Sequence, residues 1–290
     1  MTVDSKSPLR LEAVNGWRLF WLLSGALSIV MLVEMTGVDL STGSGVSEMI
    51  GFSVRWAVPF IYVVIAASSV RYLFPNPFTL WWLRNRKYFG LCFAVAMAWQ
   101  GLFIFMMSVW FRDYYYEDVY LLRDELEGST GYIFLVALVL TSFDFGRKRL
   151  SMQQWKVLHK TAVYFLWAYP FSVYWWNLSY YGDPQPIDYL FYWSGFLAVA
   201  LRIAAWGKRR QANGAASPLL KMLGATIIAL GLAWSVASLY LQDQVTTFLT
   251  AAAWSATLEL WLPYWPFEPF LSLFIIAAGT LLATRSTGDP

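Results

Sequence analysis

His159 is the only histidine in this chain of 290 residues, and it lies in the run WKVLHKTAVYFLWAYPFS, Trp155–Ser172. Imidazole changes charge near neutral pH and is a common ligand for metals and haem iron. Redox or proton chemistry would therefore be sought here first, and His159 is the single candidate metal ligand. Three roles fit its surroundings. It can be the one protein ligand of a haem, with water, a tyrosine or one of Met97, Met106, Met107 and Met152 opposite, although Met is also a common filler of apolar cores. It can serve a quinone or proton site, kept neutral by the neighbouring Lys156 and Lys160. It can instead be an interfacial residue that bonds a lipid phosphate or a loop carbonyl, and the balance of residue types favours this third role.

Little other chemistry is written in the chain. The one cysteine, Cys92, sits in an apolar run and excludes an internal disulfide or a thiolate cluster. No Gly-rich phosphate loop is present, and no loop is long enough for a nucleotide-binding fold. Electrons, protons or substrate must come from elsewhere, and nothing points to nucleic acid.

The elements that position these residues belong to a membrane protein. The chain is 58% hydrophobic and 13% charged, and 19% of it is Phe, Trp or Tyr. A soluble domain carries about a quarter charged residues. A bilayer core takes about 20 mainly apolar residues per helical crossing. Eight stretches qualify: Trp17–Thr36, Ile50–Ser69, Tyr88–Trp110, Gly131–Phe145, Trp155–Leu178, Ile187–Trp206, Leu219–Tyr240 and Phe267–Ala283. Lys and Arg alternate between their connections, as in Arg84, Arg86 and Lys87 or Lys208, Arg209 and Arg210 on the inner side. Acidic residues such as Asp113, Glu117 and Asp118 fall outside. The sequence therefore predicts an all-α bundle of eight transmembrane helices with both termini cytoplasmic, multi-pass in a bacterial-type inner membrane.

The predicted organisation is a cytoplasmic segment (1–16), a transmembrane core (17–206), a basic cytoplasmic linker (207–218) and a two-helix extension (219–290) carrying an outer amphipathic segment. The Tyr-rich outer loop around RDYYYEDVY and the segment TTFLTAAAWSATLELW read as membrane anchors, with docking of a periplasmic partner as the sharper alternative. Glu34 and Arg55 are expected to pair structurally, and Asp144 to cap or pair locally with Arg147 and Lys148. Gly224 and Gly231 suit close helix packing, within the bundle or with another subunit.

The order of RNRKYFGLCFAVAMAWQ, then GYIFLVALVLTSFD, then GRKRLSMQQWKVLHK and an aromatic helix with Pro170 resembles the ferric reductase-like transmembrane domain family. Within it, the likeness is to the haem-binding membrane subunits that serve bacterial periplasmic methionine sulfoxide reductases. It covers about Ile50 to Trp206, and implies a six-helix core followed by two added C-terminal helices. The family holds stacked b-type haems between histidines and passes electrons across the membrane. Its third-helix histidine, ten residues after the opening glycine, falls on Gln100 here. Its first later histidine, in W-x-x-L-H, is His159. Its second, thirteen residues on and just after a proline, falls on Ser172. Amides and hydroxyls are poor ligands for haem iron.

The resemblance thus implies a haem-depleted core. The reading favours no haem, with one b-type haem through His159, or a quinone, as the alternatives. The expected function is transmembrane electron transfer or an accessory role in a membrane redox complex. The alternatives are a haem-free scaffold subunit and a protein that binds quinone, lipid or pigment. If the chain is an enzyme, it is an oxidoreductase. Its expected partners are the lipid bilayer and another membrane or periplasmic subunit, and Gln100 and Ser172 are expected to hydrogen-bond each other.

Overall fold

The computed structural model describes residues 14–179, 183–212, 216–249 and 269–285. They form α1 (Gly16–Glu34), α2 (Gly43–Leu73), α3 (Pro77–Trp110), α4 (Arg112–Tyr114), α5 (Leu122–Thr141), α6 (Asp144–Arg147), α7 (Met152–Ser179), α8 (Pro186–Gln211), α9 (Pro218–Leu249) and α10 (Leu271–Ala283). A single π-turn, Tyr115–Val119, follows α4. The chain is all-α, as expected, but the expected eight crossings are not there. Among the described residues, five helices are long and apolar enough to cross a membrane: Gly16–Met35, Gly43–Leu73, Pro77–Trp110, Pro186–Gln211 and Pro218–Leu241.

The three missing crossings fail for different reasons. The predicted Gly131–Phe145 span belongs to α5, which begins with Asp124, Glu125 and Glu127 and stops at Thr141. Its apolar part is about two turns too short. The predicted Trp155–Leu178 span forms one helix, α7, but Lys156, His159, Lys160, Asn177 and many Tyr and Trp side chains dilute its apolar character. The predicted Phe267–Ala283 span leaves a helix of only 13 residues, Leu271–Ala283, roughly 20 Å long at 1.5 Å per residue. The six-plus-two helix plan and the cytoplasmic placement of both termini rested on eight crossings, and fall with that count. Residues 250–268, which hold most of the proposed amphipathic segment, lie outside the described residues.

The chain divides into two compact units, Met1–Ala67 with Pro75–Trp167, and Ser68–Phe74 with Ala168–Pro290. In the first unit, α1 is locked onto α3. Gly16 adopts φ +63°, a conformation that favours glycine, and its N–H donates to Asn85 Oδ1 at 2.9 Å. Asn85 Nδ2 donates to Asn15 Oδ1, and Trp81 Nε1 donates to the Val14 carbonyl. Asn85 is thereby buried and satisfied. Further along, Trp99 Nε1 donates to Ser28 Oγ at 3.1 Å. The start of α3 is fixed by a capping box between Asn76 and Thr79 with Pro77 in the first turn. α5 packs on α7 through Phe134 and Phe165, whose ring centroids are 5.3 Å apart.

In the second unit, Asp188 organises the start of α8: it accepts from the Gln185 N–H and from Asn177 Nδ2. α9 and α10 approach through glycine. A Cβ on Gly224 would lie 2.6 Å from Ala283 Cβ and from the Gly279 carbonyl oxygen, and one on Gly231 would lie 2.7 Å from Ile276 Cγ1. The small-residue spacing of α9 therefore serves packing inside the chain. The large exposed apolar side chains, including Trp21, Ile29, Phe105, Leu190 and Leu230, suit a lipid surround. Gly224→Leu has no room against the α10 backbone and is expected to destabilise the second unit by about 1–3 kcal/mol, the usual cost of overpacking, read as a lower thermal midpoint in detergent and faster proteolysis near α10.

Candidate functional site

The C-terminal end of α5 and the first turns of α7 meet at Thr141. Trp155 Nε1 donates to the Thr141 carbonyl at 3.2 Å, satisfying an acceptor that the end of α5 would otherwise leave open. One turn further along α7, His159 Nε2 lies 2.9 Å from Thr141 Oγ1. The Trp155 and His159 rings pack 4.2 Å apart, as residues four apart on a helix can. The Arg147 guanidinium lies 5.2 Å from the Trp155 ring centroid and donates to the Leu150 carbonyl.

The Thr141 hydroxyl also lies 2.6 Å from the Ala137 carbonyl. With the hydroxyl proton on that carbonyl, His159 Nε2 is the donor to Oγ1; with the proton directed at the ring, Nε2 accepts. α7 is not one of the five apolar crossings. The imidazole pKa is lowered to about 4, first by burial and then by the positive charges of Arg86 and Arg147. The expectation of a neutral imidazole beside cations is met, but the cations are Arg86 and Arg147 and not the adjacent lysines. Lys156 and Lys160 are exposed.

Gln100 lies on α3 and is half-buried. Its Oε1 is 3.0 Å from the Tyr132 hydroxyl, which is also 3.0 Å from the Met97 carbonyl. Ser172 is buried in the second unit, on α7 beyond Pro170, and donates to the Ala168 carbonyl at 2.9 Å. The Gln100 side-chain oxygen and the Ser172 hydroxyl thus each meet a partner inside their own unit. The fit of a haem to these positions can be judged from the donor set. One imidazole cannot supply two bis-histidine sites, and Gln100 and Ser172 offer an amide and a hydroxyl. The residues do not fit the family's haem arrangement. Met107, one of the suggested opposite ligands, is buried in a core with Val46, Met49 and Phe103. Among the described residues no group of three or more His, Cys, Asp or Glu side chains could hold a metal ion.

His159 and Thr141 line a cavity of about 460 Å³ within the first unit. Its polar end carries Arg84, Arg86, Lys87 and Arg147, with Asp144 as the one carboxylate, while Val64, Leu138, Val139 and Val163 line its apolar part. A second opening, lined by Glu34, Glu48, Arg55 and Tyr114, brings the expected Glu34 and Arg55 to one place. Sequence reasoning missed Thr141 and Tyr132 as the partners of the two key polar side chains. The T-S-F block and the tyrosine one position after Gly131 were the only signals.

A comparison with curated proteins finds a distant relative. The chain is 29% identical over 171 residues, covering 56% of this chain and 72% of the other, to the protein-methionine-sulfoxide reductase heme-binding subunit MsrQ of Herminiimonas arsenicoxydans. This is a family-level relation to a redox membrane protein, and with the apolar helices it supports a multi-pass bacterial membrane protein. No family model matches the chain, and no solved structure matches it.

Thr141→Val removes the hydrogen-bond partner of His159 Nε2 and is expected to cost about 1–2 kcal/mol, measured as a lower unfolding midpoint, with Thr141→Ser restoring most of it. A second outcome concerns pH. The folded imidazole stays neutral down to about pH 4 whereas an unfolded one protonates near 6.5. The unfolded state then binds more protons in that window, so stability falls as pH drops from about 6.5 to about 4. His159→Gln should flatten this part of a midpoint-versus-pH curve.

Proposed function

We propose that this chain is a haem-depleted accessory subunit of a bacterial inner-membrane redox complex. The observation that carries the reading is the state of His159. Its Nε2 lies 2.9 Å from Thr141 Oγ1, and in this reading it donates there and joins α5 to α7 in place of holding iron. Gln100 and Ser172, at the other two positions, are likewise engaged by Tyr132 and Ala168. A bundle of this ancestry that lacks its own ligands has no through-membrane chain of cofactors to offer. What it retains is a shaped membrane surface, rich in exposed Trp, Tyr and Leu, on which a redox partner can assemble. The partner is another membrane or periplasmic subunit.

The rival reading is electron transfer through one b-type haem on His159. It is favoured by the likeness to a heme-binding subunit. Expression in haem-replete cells followed by mild-detergent purification separates the two. The accessory reading expects no stoichiometric Soret band and a defined co-purifying membrane or periplasmic protein. A stoichiometric Soret band that disappears in His159→Ala overturns it.

A further inference from the structure

We infer that the cavity beside His159 is a binding site for an anionic phospholipid, with the phosphate at its basic end and an acyl chain along its apolar part. The inference concerns a ligand and is independent of the accessory role proposed above.

Three observations converge. The first is charge: four cations, Arg84, Arg86, Lys87 and Arg147, line the cavity against the single carboxylate of Asp144. Two of them are held in place by contacts that leave their charge intact. Lys87 Nζ lies 5.1 Å from the Phe143 ring centroid, and Arg147 lies over Trp155. Asn85, buried between Arg84 and Arg86, anchors this turn of α3 to the start of α1. The basic end is therefore built on a fixed turn of helix.

The second observation is depth. The basic turn immediately precedes the apolar run Tyr88–Trp110 of α3. At 1.5 Å per residue that run is roughly 34 Å long, matching a hydrocarbon core of about 30 Å. Arg84, Arg86 and Lys87 thus stand at the headgroup level, where anionic headgroups and basic side chains meet. The third is the mix of lining groups. Besides the cations, the cavity is lined by the hydroxyls of Thr141 and Ser142, by the His159 ring and by Val64, Leu138, Val139 and Val163. A phospholipid offers an anion, a hydrogen-bonding glycerol or ester region and an apolar chain to these three kinds of lining. A free phosphate would leave the apolar residues unused, and a neutral quinone would leave the basic ones unused.

The test is native mass spectrometry of the full chain, with phosphatidylglycerol and phosphatidylcholine of identical acyl chains competing and inorganic phosphate in a parallel arm. One tightly retained phosphatidylglycerol is expected, preferred over phosphatidylcholine. The double variant Arg84→Gln, Lys87→Gln is expected to reduce the preference by on the order of tenfold. Both side chains are exposed, so this variant should still fold, as circular dichroism can check. Val163→Trp, which puts a bulky ring into the apolar lining, should weaken retention of phosphatidylglycerol and of phosphatidylcholine alike. Equal retention of the two lipids overturns the inference, as does an undiminished preference in the double variant. Displacement of all lipid by inorganic phosphate, or recovery of a quinone in place of phospholipid, does the same.

Discussion

Thr141 is the hinge on which the first unit depends. Its carbonyl takes the Trp155 indole and its hydroxyl takes the His159 imidazole, so the last residue of α5 holds two side chains one turn apart on α7. The clamp stacks Trp155 on His159 and sets Arg147 over the indole. It also ends α5 at the rim of the basic cavity. One threonine therefore satisfies a helix end, meets the ring of the only histidine and shapes the space beside it.

The same constraint accounts for how polar side chains are held inside an apolar bundle. Polar side chains left in an apolar bundle must find partners or cost the fold their desolvation. Gln100 finds Tyr132, Ser172 finds the carbonyl four residues back, and His159 finds Thr141. Distant similarity to a heme-binding subunit and these hydrogen bonds are compatible: the first is a family-level relation and the second describes local packing.

The membrane character and the helical class were legible in the sequence, because composition and hydropathy need no three-dimensional information. The small-residue spacing of α9 was legible too, and Gly224 and Gly231 do meet α10 closely. The number of crossings was not. Windows of apolar residues cannot see that α5 stops at Thr141 or that α10 has 13 residues, and they pass over the Trp, Tyr and Lys that dilute α7. Nor were the partners of the site residues legible. Thr141 lies 18 positions from His159 and Tyr132 lies 32 from Gln100, and only the packing of α5 between its neighbours brings them together.

The proposed accessory role takes His159 as a neutral hydrogen donor through Nε2. Because the chain has a single histidine, selective ¹⁵N labelling of histidine gives one imidazole to observe by solid-state NMR in lipid. The predicted spectrum at neutral pH shows a protonated Nε2 and an unprotonated Nδ1, with the Nε2 proton lost from its hydrogen-bonded position in Thr141→Val. An Nε2 that is unprotonated, or shifted by a bound iron, would contradict the account.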